Sequence, residues 1–238
     1  MHCSLRFAAG LPLLLAAVTV AHADPVTLEP TPYLSFNNSP FKGGSFSYFY
    51  NETFEDHLLN TPGLSANAGG VASVVFGPNI HDSVDADDGT IDGSGLGGDS
   101  YFTLSGAGGV RFSFDAAVLG ALPTSAGIVW TDGGAGTAVT FSAFGPTGTL
   151  LFTITRSGFA DNSNNGETAE DRFFGVTNAA GISAIFMSND SGGMEVDHVQ
   201  YGRAAVVTTV PEPETYALFL AGLAALAALR RRRRARPA

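Results

Sequence analysis

The sequence contains almost no cysteine. Its one cysteine, Cys3, lies near the N-terminus, so residues 24–210 contain none. Disulfides, thiolate metal sites and cysteine nucleophiles are therefore excluded for this segment. A domain without disulfides must depend on a hydrophobic core or on bound cations, and the segment is long enough to bury a sizeable core.

Basic residues are also scarce in this segment. Residues 24–210 contain five of them against twenty acidic residues, which gives a net charge of −15 with neutral histidines. The whole-chain value of −10 hides this excess because the other seven arginines lie outside the segment. A surface of this charge argues against nucleic acid as a partner. It suits metal cations or basic partners instead.

Catalytic signatures are missing too. The chain has no Gly-x-Ser-x-Gly, no His-Glu-x-x-His and no phosphate-binding glycine loop. Only Glu195 and Asp197 resemble a catalytic pair, because on one face of a strand they would lie about 6.6 Å apart, near the spacing of glycoside hydrolases. No substrate platform accompanies them. We therefore expect a protein without catalytic activity and keep a glycoside hydrolase as the least favoured alternative.

Long apolar runs occur only near the two ends of the chain. Near the N-terminus, Arg6 precedes the apolar residues 7–20, and the small residues Ala21 and Ala23 flank His22. This arrangement predicts a signal peptide over residues 1–23 that the Sec machinery exports and signal peptidase removes after Ala23. The run is shorter than the roughly 20 apolar residues that a bilayer requires, which disfavours a permanent anchor. We expect an N-terminal signal helix that the exported form lacks.

The C-terminal apolar run extends from Tyr216 to Leu229 and is followed by five arginines, Arg230 to Arg234. As a helix it would span about 21 Å, less than the ~30 Å of a hydrocarbon core. Tyr216 at one edge and snorkelling arginines at the other can extend it. The arginines keep the C-terminus cytoplasmic. We therefore predict a transmembrane helix that anchors the precursor in the inner membrane.

A short Pro-Glu-Pro sequence, Pro211-Glu212-Pro213, precedes this apolar run. The motif, the apolar helix and the arginine cluster, in this order over residues 210–236, resemble the PEP-CTERM sorting signal of Gram-negative bacteria. In that family an exosortase, a membrane cysteine transpeptidase, recognises the motif and cuts near it. The resemblance implies that Pro211, Glu212 and Pro213 are the recognition element. The two prolines keep the segment extended and remove backbone donors, which suits recognition as an unfolded strip.

Residues 24–209 have the pattern of one β-rich domain, and residues 210–238 form the sorting signal. Alternation in VRFSFD (residues 110–115) is typical of a strand, and MEVDHVQY (residues 194–201) shifts phase at His198-Val199, which predicts a bulge or an edge. The pattern favours an all-β antiparallel sandwich of the jelly-roll type. Short helical turns are expected over residues 54–59 and 115–122. The predicted strands are 45–50, 71–76, 100–105, 110–115, 127–132, 137–144, 149–155, 171–176, 182–188 and 194–201.

Three segments of the domain carry a further resemblance. They are GVASVVFGPNIHDSVDADDGTIDGSGLGGDSYF, LGALPTSAGIVWTDGG and FFGVTNAAGISAIFMSNDSGGMEVDHVQYG. They resemble a recurrent ectodomain type that is attached to PEP-CTERM tails and has no settled biochemical function. The resemblance implies a class of exported protein and no particular activity.

The densest polar feature is the acidic loop, residues 81–99, which contains six aspartates and many glycines. Calcium takes six to eight oxygen ligands, and glycines let the backbone fold carbonyl groups around the ion. The spacing is not that of an EF-hand. A calcium site and a solvated acidic loop are almost equally favoured for this segment, the solvated loop slightly more so. The predicted ligands are Asp82, Asp85, Asp87, Asp88 and Asp92.

A second group of acids could share a cation if the first and last strands are neighbours. It consists of Glu52, Glu55 and Asp56 together with Glu195 and Asp197, although surface carboxylates near turns are the favoured interpretation.

The sequence as a whole predicts an exported, non-enzymatic component of the cell surface or extracellular polysaccharide matrix of a Gram-negative bacterium. A lectin-like carbohydrate-binding module is the alternative.

Overall fold

The computed structural model describes residues 24–77, 82–133, 137–160, 163, 165–206 and 213–234. The chain divides into two compact units, one ending at Ala204 and the other beginning at Ala205. All described strands lie in the first unit, and the second contains a single described helix.

Twelve strands and three α-helices make up the described chain. The helices are α1 (Ala72–Phe76), α2 (Ala116–Leu119) and α3 (Pro213–Arg234), and Phe36–Asn38 and Asp85–Asp88 form 3-10 turns. The strands are β1 (Val26–Pro32), β2 (Phe46–Glu52), β3 (Leu64–Ala66), β4 (Gly70–Val71), β5 (Tyr101–Thr103), β6 (Val110–Phe114), β7 (Ser125–Gly133), β8 (Val139–Phe144), β9 (Leu150–Arg156), β10 (Arg172–Thr177), β11 (Ala184–Asn189) and β12 (Met194–Ala204).

The strands form two antiparallel sheets. The larger has the order β1-β10-β7-β12-β5-β4, with β2 also paired to β12, and the smaller has the order β3-β6-β11-β8-β9. In β6, Val110, Phe112 and Phe114 are buried while the residues between them are half-buried. Ring contacts join the two sheets, as between Phe141 of β8 and Phe174 of β10, whose centroids lie 5.9 Å apart. The antiparallel β-sandwich predicted from the sequence is confirmed.

One predicted strand is wrong. Residues 71–76 are rich in β-branched residues, yet only Val71 pairs as a strand and Ala72–Phe76 form helix α1. The cause is a distant contact, because the Asp99 carboxylate accepts a hydrogen bond from the Ser73 N–H at 3.0 Å. It thereby satisfies one of the donors that a helix N-terminus leaves free. Gly77, at a φ of 96°, ends the helix.

Strand β12 contains the irregularity that its sequence predicts. The register of β12 against β7 shifts between Asp197 and Gln200, and His198 has a φ of 43°. A bulge turns neighbouring side chains toward the same side of a sheet. Asp197 and His198 both contact the acidic loop, the first at Val84 and the second at Asp87.

Candidate functional site

The acidic loop lies against the larger sheet and is held there by hydrogen bonds to β7 and β12. The Asp82 and Val84 N–H groups donate to the carboxylates of Glu195 and Asp197, each at 3.0 Å. The Thr131 hydroxyl of β7 donates to the Asp82 carbonyl at 2.9 Å. Acidic side chains of the sheet therefore lie beneath an acidic loop.

The five predicted calcium ligands do not converge on one point. Among the described residues, a group of three or more potential ligands within 4.8 Å of one another includes Asp87 but none of the other four. Asp88 is exposed and accepts hydrogen bonds from the Thr90 N–H and hydroxyl, each at 2.8 Å. Asp92 is exposed as well.

Asp85 is fully buried and holds the loop together. Its carboxylate accepts hydrogen bonds from the N–H groups of Asp92 and Gly93 and from the Thr168 hydroxyl, at 2.9 to 3.2 Å. These contacts account for its burial without a cation, since buried carboxylates are tolerated when donors surround them.

A first cluster of acids surrounds Asp82 and Asp171. Asp82 is 1 % exposed and Asp171 is 0 % exposed. Their four carboxylate oxygens have no hydrogen-bond partner among the described residues. Asp132 and Glu195 are opposite each other in the β7–β12 ladder. Because Arg172 pairs with Trp130 of β7, the preceding residues, Glu170 and Asp171, approach the same end of β7.

The negative charges of this first cluster outweigh the positive charge of Arg172, because that guanidinium lowers the pKa of Asp171 less than burial and the acidic neighbours raise it. Burial, then the negative charges of Glu195, Asp132 and Glu170, raises the pKa of Asp82 to about 10. Burial and the charges of Asp82 and Glu170 raise the pKa of Asp171 well above its usual range. The nearby Arg172 guanidinium donates to the Ala169 and Asp171 carbonyls, at 2.9 and 2.8 Å. The cluster therefore needs protons or a cation.

A second cluster consists of Asp87, Asp197 and His198, whose potential ligand atoms all lie within 4.8 Å of one another. His198 Nε2 is 3.0 Å from Asp87 Oδ1, and His198 Nδ1 is 2.9 Å from the Tyr33 hydroxyl. Burial, then the neighbouring Asp87, raises the pKa of Asp197 well above its usual range.

The second predicted group of acids does not assemble. Glu52 accepts hydrogen bonds from the Phe54, Asn60 and Thr61 N–H groups and so closes the loop after β2. Glu55 accepts one from the Asp99 N–H at 2.6 Å. Asp56 binds the Leu58 N–H and the Asn60 amide.

The residues predicted to act at the two chain ends are mostly beyond what the structure describes. Ala21, Ala23, Pro211 and Glu212 lie outside the described residues, and Pro213 is the first residue of α3. None of the described helices combines the length and the apolar character needed to cross a membrane. The predicted transmembrane helix stays a prediction.

The C-terminal sequence matches a known family model. Residues 209–234 match the PEP-CTERM protein-sorting motif. The chain carries a PEP-CTERM sorting signal. The resemblance predicted from Pro-Glu-Pro, apolar helix and arginines is thereby confirmed, and it indicates export and sorting to the cell surface. No curated protein matches this PEP-CTERM chain.

Two solved structures are similar to the PEP-CTERM chain in outline. One is the xylan-binding domain from CBM 22, formally x6b domain, and the other is the C-terminal family 22 carbohydrate-binding module of Clostridium thermocellum Xyn10B. Each is 10 % identical, covering 70 % of this chain and 99 % of the other, with TM-scores of 0.26 and 0.27. These values carry no argument about a ligand. Trp130, the one tryptophan that could stack on a sugar, is fully buried in the core.

The sequence analysis missed three acids of the first cluster: Asp132, Glu170 and Asp171. Each lies at or beside the end of a strand, Asp132 near the end of β7 and the other two just before β10. The position of these acids at strand ends is visible in the sequence and could have marked them as candidates. Their convergence depends on β7 and β10 being neighbours, which the sequence does not state.

Proposed function

We propose that this PEP-CTERM protein is a non-catalytic module of the cell surface or extracellular matrix that is processed by an exosortase and stabilised by calcium. The observation that carries the calcium proposal is the burial of Asp82 and Asp171 with four carboxylate oxygens that lack hydrogen-bond partners among the described residues. The sorting signal supports an extracellular role, because it directs the chain to the surface.

The energetic argument for a cation starts from the cost of burial. Burying an ionised carboxylate without a partner costs several kcal/mol even after relaxation of the protein. Protonating it instead costs about 1.4 kcal/mol for each pH unit between its ordinary pKa and the surrounding pH. A divalent cation avoids both costs because it keeps the carboxylates ionised and supplies the opposite charge.

The chemistry of the first cluster favours calcium over softer metals. Its five side chains offer only carboxylate oxygens, and hard oxygen ligands in large number suit Ca²⁺. Extracellular calcium modules typically bind with dissociation constants of about 0.1 to 1 mM. That range suits a protein that meets calcium after export. No three of these side chains offer ligand atoms within 4.8 Å of one another in the described structure, so calcium binding must draw the carboxylates together. The proposed ligands are Asp82, Asp132, Glu170, Asp171 and Glu195.

The contacts of Glu195 and Asp197 support a non-catalytic role. Glu195 is 8 % exposed and accepts hydrogen bonds from the Asp82 N–H and the Ser100 hydroxyl. Asp197 is 0 % exposed and accepts from the N–H groups of Val84 and His198. A glycosidase pair must reach the sugar on both sides of the scissile bond. These two carboxylates bind their own chain instead.

The calcium proposal is tested by thermal unfolding of residues 24–238 in mild detergent, with calcium or with sodium at matched ionic strength. At one hundred times its dissociation constant a cation adds about 2.7 kcal/mol, which raises Tm by several degrees. We expect the double variant D82N/D171N to lose this increase. Its calcium-free Tm should be equal or higher, because folding then no longer has to protonate two carboxylates that are ionised in the unfolded chain.

The matched control is D92N, which removes one charge from an exposed position of the same loop. We expect D92N to keep the full calcium-dependent increase. The proposal is overturned if calcium raises the Tm of the unsubstituted chain no more than sodium does. It is also overturned if D82N/D171N keeps the increase.

A further inference from the structure

The second cluster contains two carboxylates that face each other without an intervening donor. Both oxygens of Asp197 accept backbone hydrogen bonds, from the N–H groups of Val84 and His198. Asp87 Oδ1 lies 3.0 Å from His198 Nε2, while Asp87 Oδ2 is buried and has no partner among the described residues. The Asp87 side chain is only 10 % exposed. Two buried carboxylates this close require either a shared proton or a cation between them.

The position of His198 adds a nitrogen ligand to this pair. The bulge in β12 holds His198 at a φ of 43°, a backbone conformation that costs energy for a residue with a side chain. It brings the imidazole next to Asp87 and Asp197, and its Nε2 is one of three potential ligand atoms within 4.8 Å of one another. Two ligands on one tetrahedral zinc ion lie about 3.3 Å apart, given bonds of about 2.0–2.1 Å. The 3.0 Å between His198 Nε2 and Asp87 Oδ1 is close to that spacing.

A buried network of hydrogen bonds holds the second ring nitrogen of His198, Nδ1. His198 Nδ1 is 2.9 Å from the Tyr33 hydroxyl, and the Gln200 amide donates to that hydroxyl at 2.7 Å. The Ser39 hydroxyl donates to the Gln200 carbonyl oxygen. All four side chains are buried. Metal-binding histidines almost always have such a partner on their second ring nitrogen, because it fixes the tautomer and the orientation of the ring.

We propose that Asp87, Asp197 and His198 form a binding site for a divalent ion of the zinc class, with His198 Nε2 and one oxygen of each aspartate as ligands. An imidazole nitrogen suits Zn²⁺ and similar ions and is a poor ligand for Ca²⁺. With the ion on Nε2, the imidazole would donate from Nδ1 to the Tyr33 oxygen. The Tyr33 hydroxyl then donates to Gln200 after rotation of the amide.

This site shares no ligand with the proposed calcium cluster, and its chemistry is different. Nitrogen and two oxygens select a zinc-class ion, whereas five carboxylates select calcium. Calcium in excess should therefore leave zinc bound. The two proposals can fail separately, because the calcium test substitutes Asp82 and Asp171 and leaves the His198 cluster intact.

The test is a zinc chloride titration by calorimetry of residues 24–238, purified without a histidine tag and in excess calcium. We expect one zinc ion per chain for the unsubstituted protein. Y33F removes the hydroxyl that supports the imidazole, and with it the acceptor of the Gln200 amide. In a variant that still folds, it should weaken zinc binding by about 10- to 100-fold. D87N removes a ligand and should abolish binding. Cobalt chloride adds a spectroscopic readout, with visible absorption of a four-coordinate site that D87N lacks.

The matched control is H57Q, since His57 is also paired with an aspartate, at 2.7 Å from Asp99, but its side chain is 66 % exposed. We expect zinc binding by H57Q to equal that of the unsubstituted chain. The proposal is overturned if the protein binds no zinc, which would leave a shared proton between Asp87 and Asp197. It is also overturned if D87N and Y33F both bind zinc as tightly as the unsubstituted chain, or if H57Q alone loses the ion.

Discussion

At the scale of single residues, the role of each buried carboxylate depends on the donors that reach it. Glu52 is 3 % exposed and receives three backbone N–H groups, so it stabilises a loop without any cation. Asp171 is equally buried, but none of its carboxylate oxygens has a hydrogen-bond partner among the described residues. The two residues look alike in sequence. Only the fold separates a structural carboxylate from a candidate ligand.

The loop after β2 should depend on the charge of Glu52. E52Q replaces one accepting oxygen by an amide that opposes the N–H groups of Asn60 and Thr61. We expect a loss of about 1.5–3 kcal/mol in the free energy of unfolding, the usual contribution of hydrogen bonds to a charged group. Urea unfolding measures it. E29Q is the control, because Glu29 pairs with Arg156 at an exposed position and should change little. An equal loss of unfolding free energy in E52Q and E29Q would contradict the role of Glu52 in stabilising the loop.

The pair of His57 and Asp99 gives a pH dependence of known sign. The hydrogen bond to Asp99 raises the pKa of His57, and the charges of Asp99, Glu55 and Asp56 add to this. A raised pKa in the folded state stabilises the protein fully below the unfolded pKa of 6.5, and the effect is lost as pH rises through the folded pKa. Asp99 remains ionised there, because hydrogen bonds from His57 and Ser73 outweigh its burial and lower its pKa.

The expected result is a pH-dependent difference between the unsubstituted chain and H57Q. The free energy of unfolding should favour the unsubstituted chain most at about pH 6 and progressively less toward pH 9. Denaturant unfolding at a series of pH values measures it. A difference that is constant over this range, or that grows with pH, would show that His57 does not gain a proton from its contact with Asp99.

At the scale of elements, the sequence predicted strands wherever alternation was clean, as in β6, and it predicted the bulge of β12. It missed β1, whose segment contains Pro30 and Pro32. Proline is tolerated there because β1 is an edge strand of the larger sheet. It assigned α1 wrongly because a distant carboxylate, Asp99, satisfies the helix N-terminus. Local patterns do not contain contacts of this kind.

The candidate sites were predictable only in part, for the same reason. The aspartates of the acidic loop are visible as a cluster, and Asp82 and Asp87 do lie in the two acidic clusters. Their partners Asp171 and His198 are distant in sequence and are brought close by the β7–β10 and β7–β12 pairings. The loop alone therefore suggested one site where the fold forms two clusters.

The acidic loop should be sensitive to substitution of Gly95, because Gly95 packs directly against the backbone of Ser83 in the same loop. A Cβ at Gly95 would lie 1.9 Å from the Ser83 carbonyl oxygen, a backbone atom that cannot move aside. We expect G95A to lower the free energy of unfolding by about 1–3 kcal/mol, as overpacking does. Thermal unfolding measures it. G145A is the control, because its nearest neighbour is the flexible Leu151 side chain at 3.1 Å. If G95A is no less stable than G145A, the close contact between Gly95 and the Ser83 backbone is contradicted.

At the scale of the whole molecule, charge and hydrophobicity are divided between the two units. Residues 24–210 have a net charge of −15, whereas the C-terminal segment contains the arginine cluster. Helix α3 exposes apolar side chains such as Leu218, Phe219 and Leu226, at 75 %, 67 % and 62 %. Such a surface requires cover by lipid or protein. An acidic domain and an apolar, basic tail fit the proposed processing, in which the tail is removed outside the cell.

The intact mass of the extracellular form shows whether both ends of the chain are removed during export. We expect a chain that begins at Asp24 and lacks Arg230 to Arg234, the product of the predicted cleavage after Ala23 and of the proposed exosortase cleavage near Pro211-Glu212-Pro213. In cells without exosortase, the arginine cluster should be retained and the chain should stay in the membrane fraction. A chain recovered from the medium with Arg230 to Arg234 still attached would contradict the account.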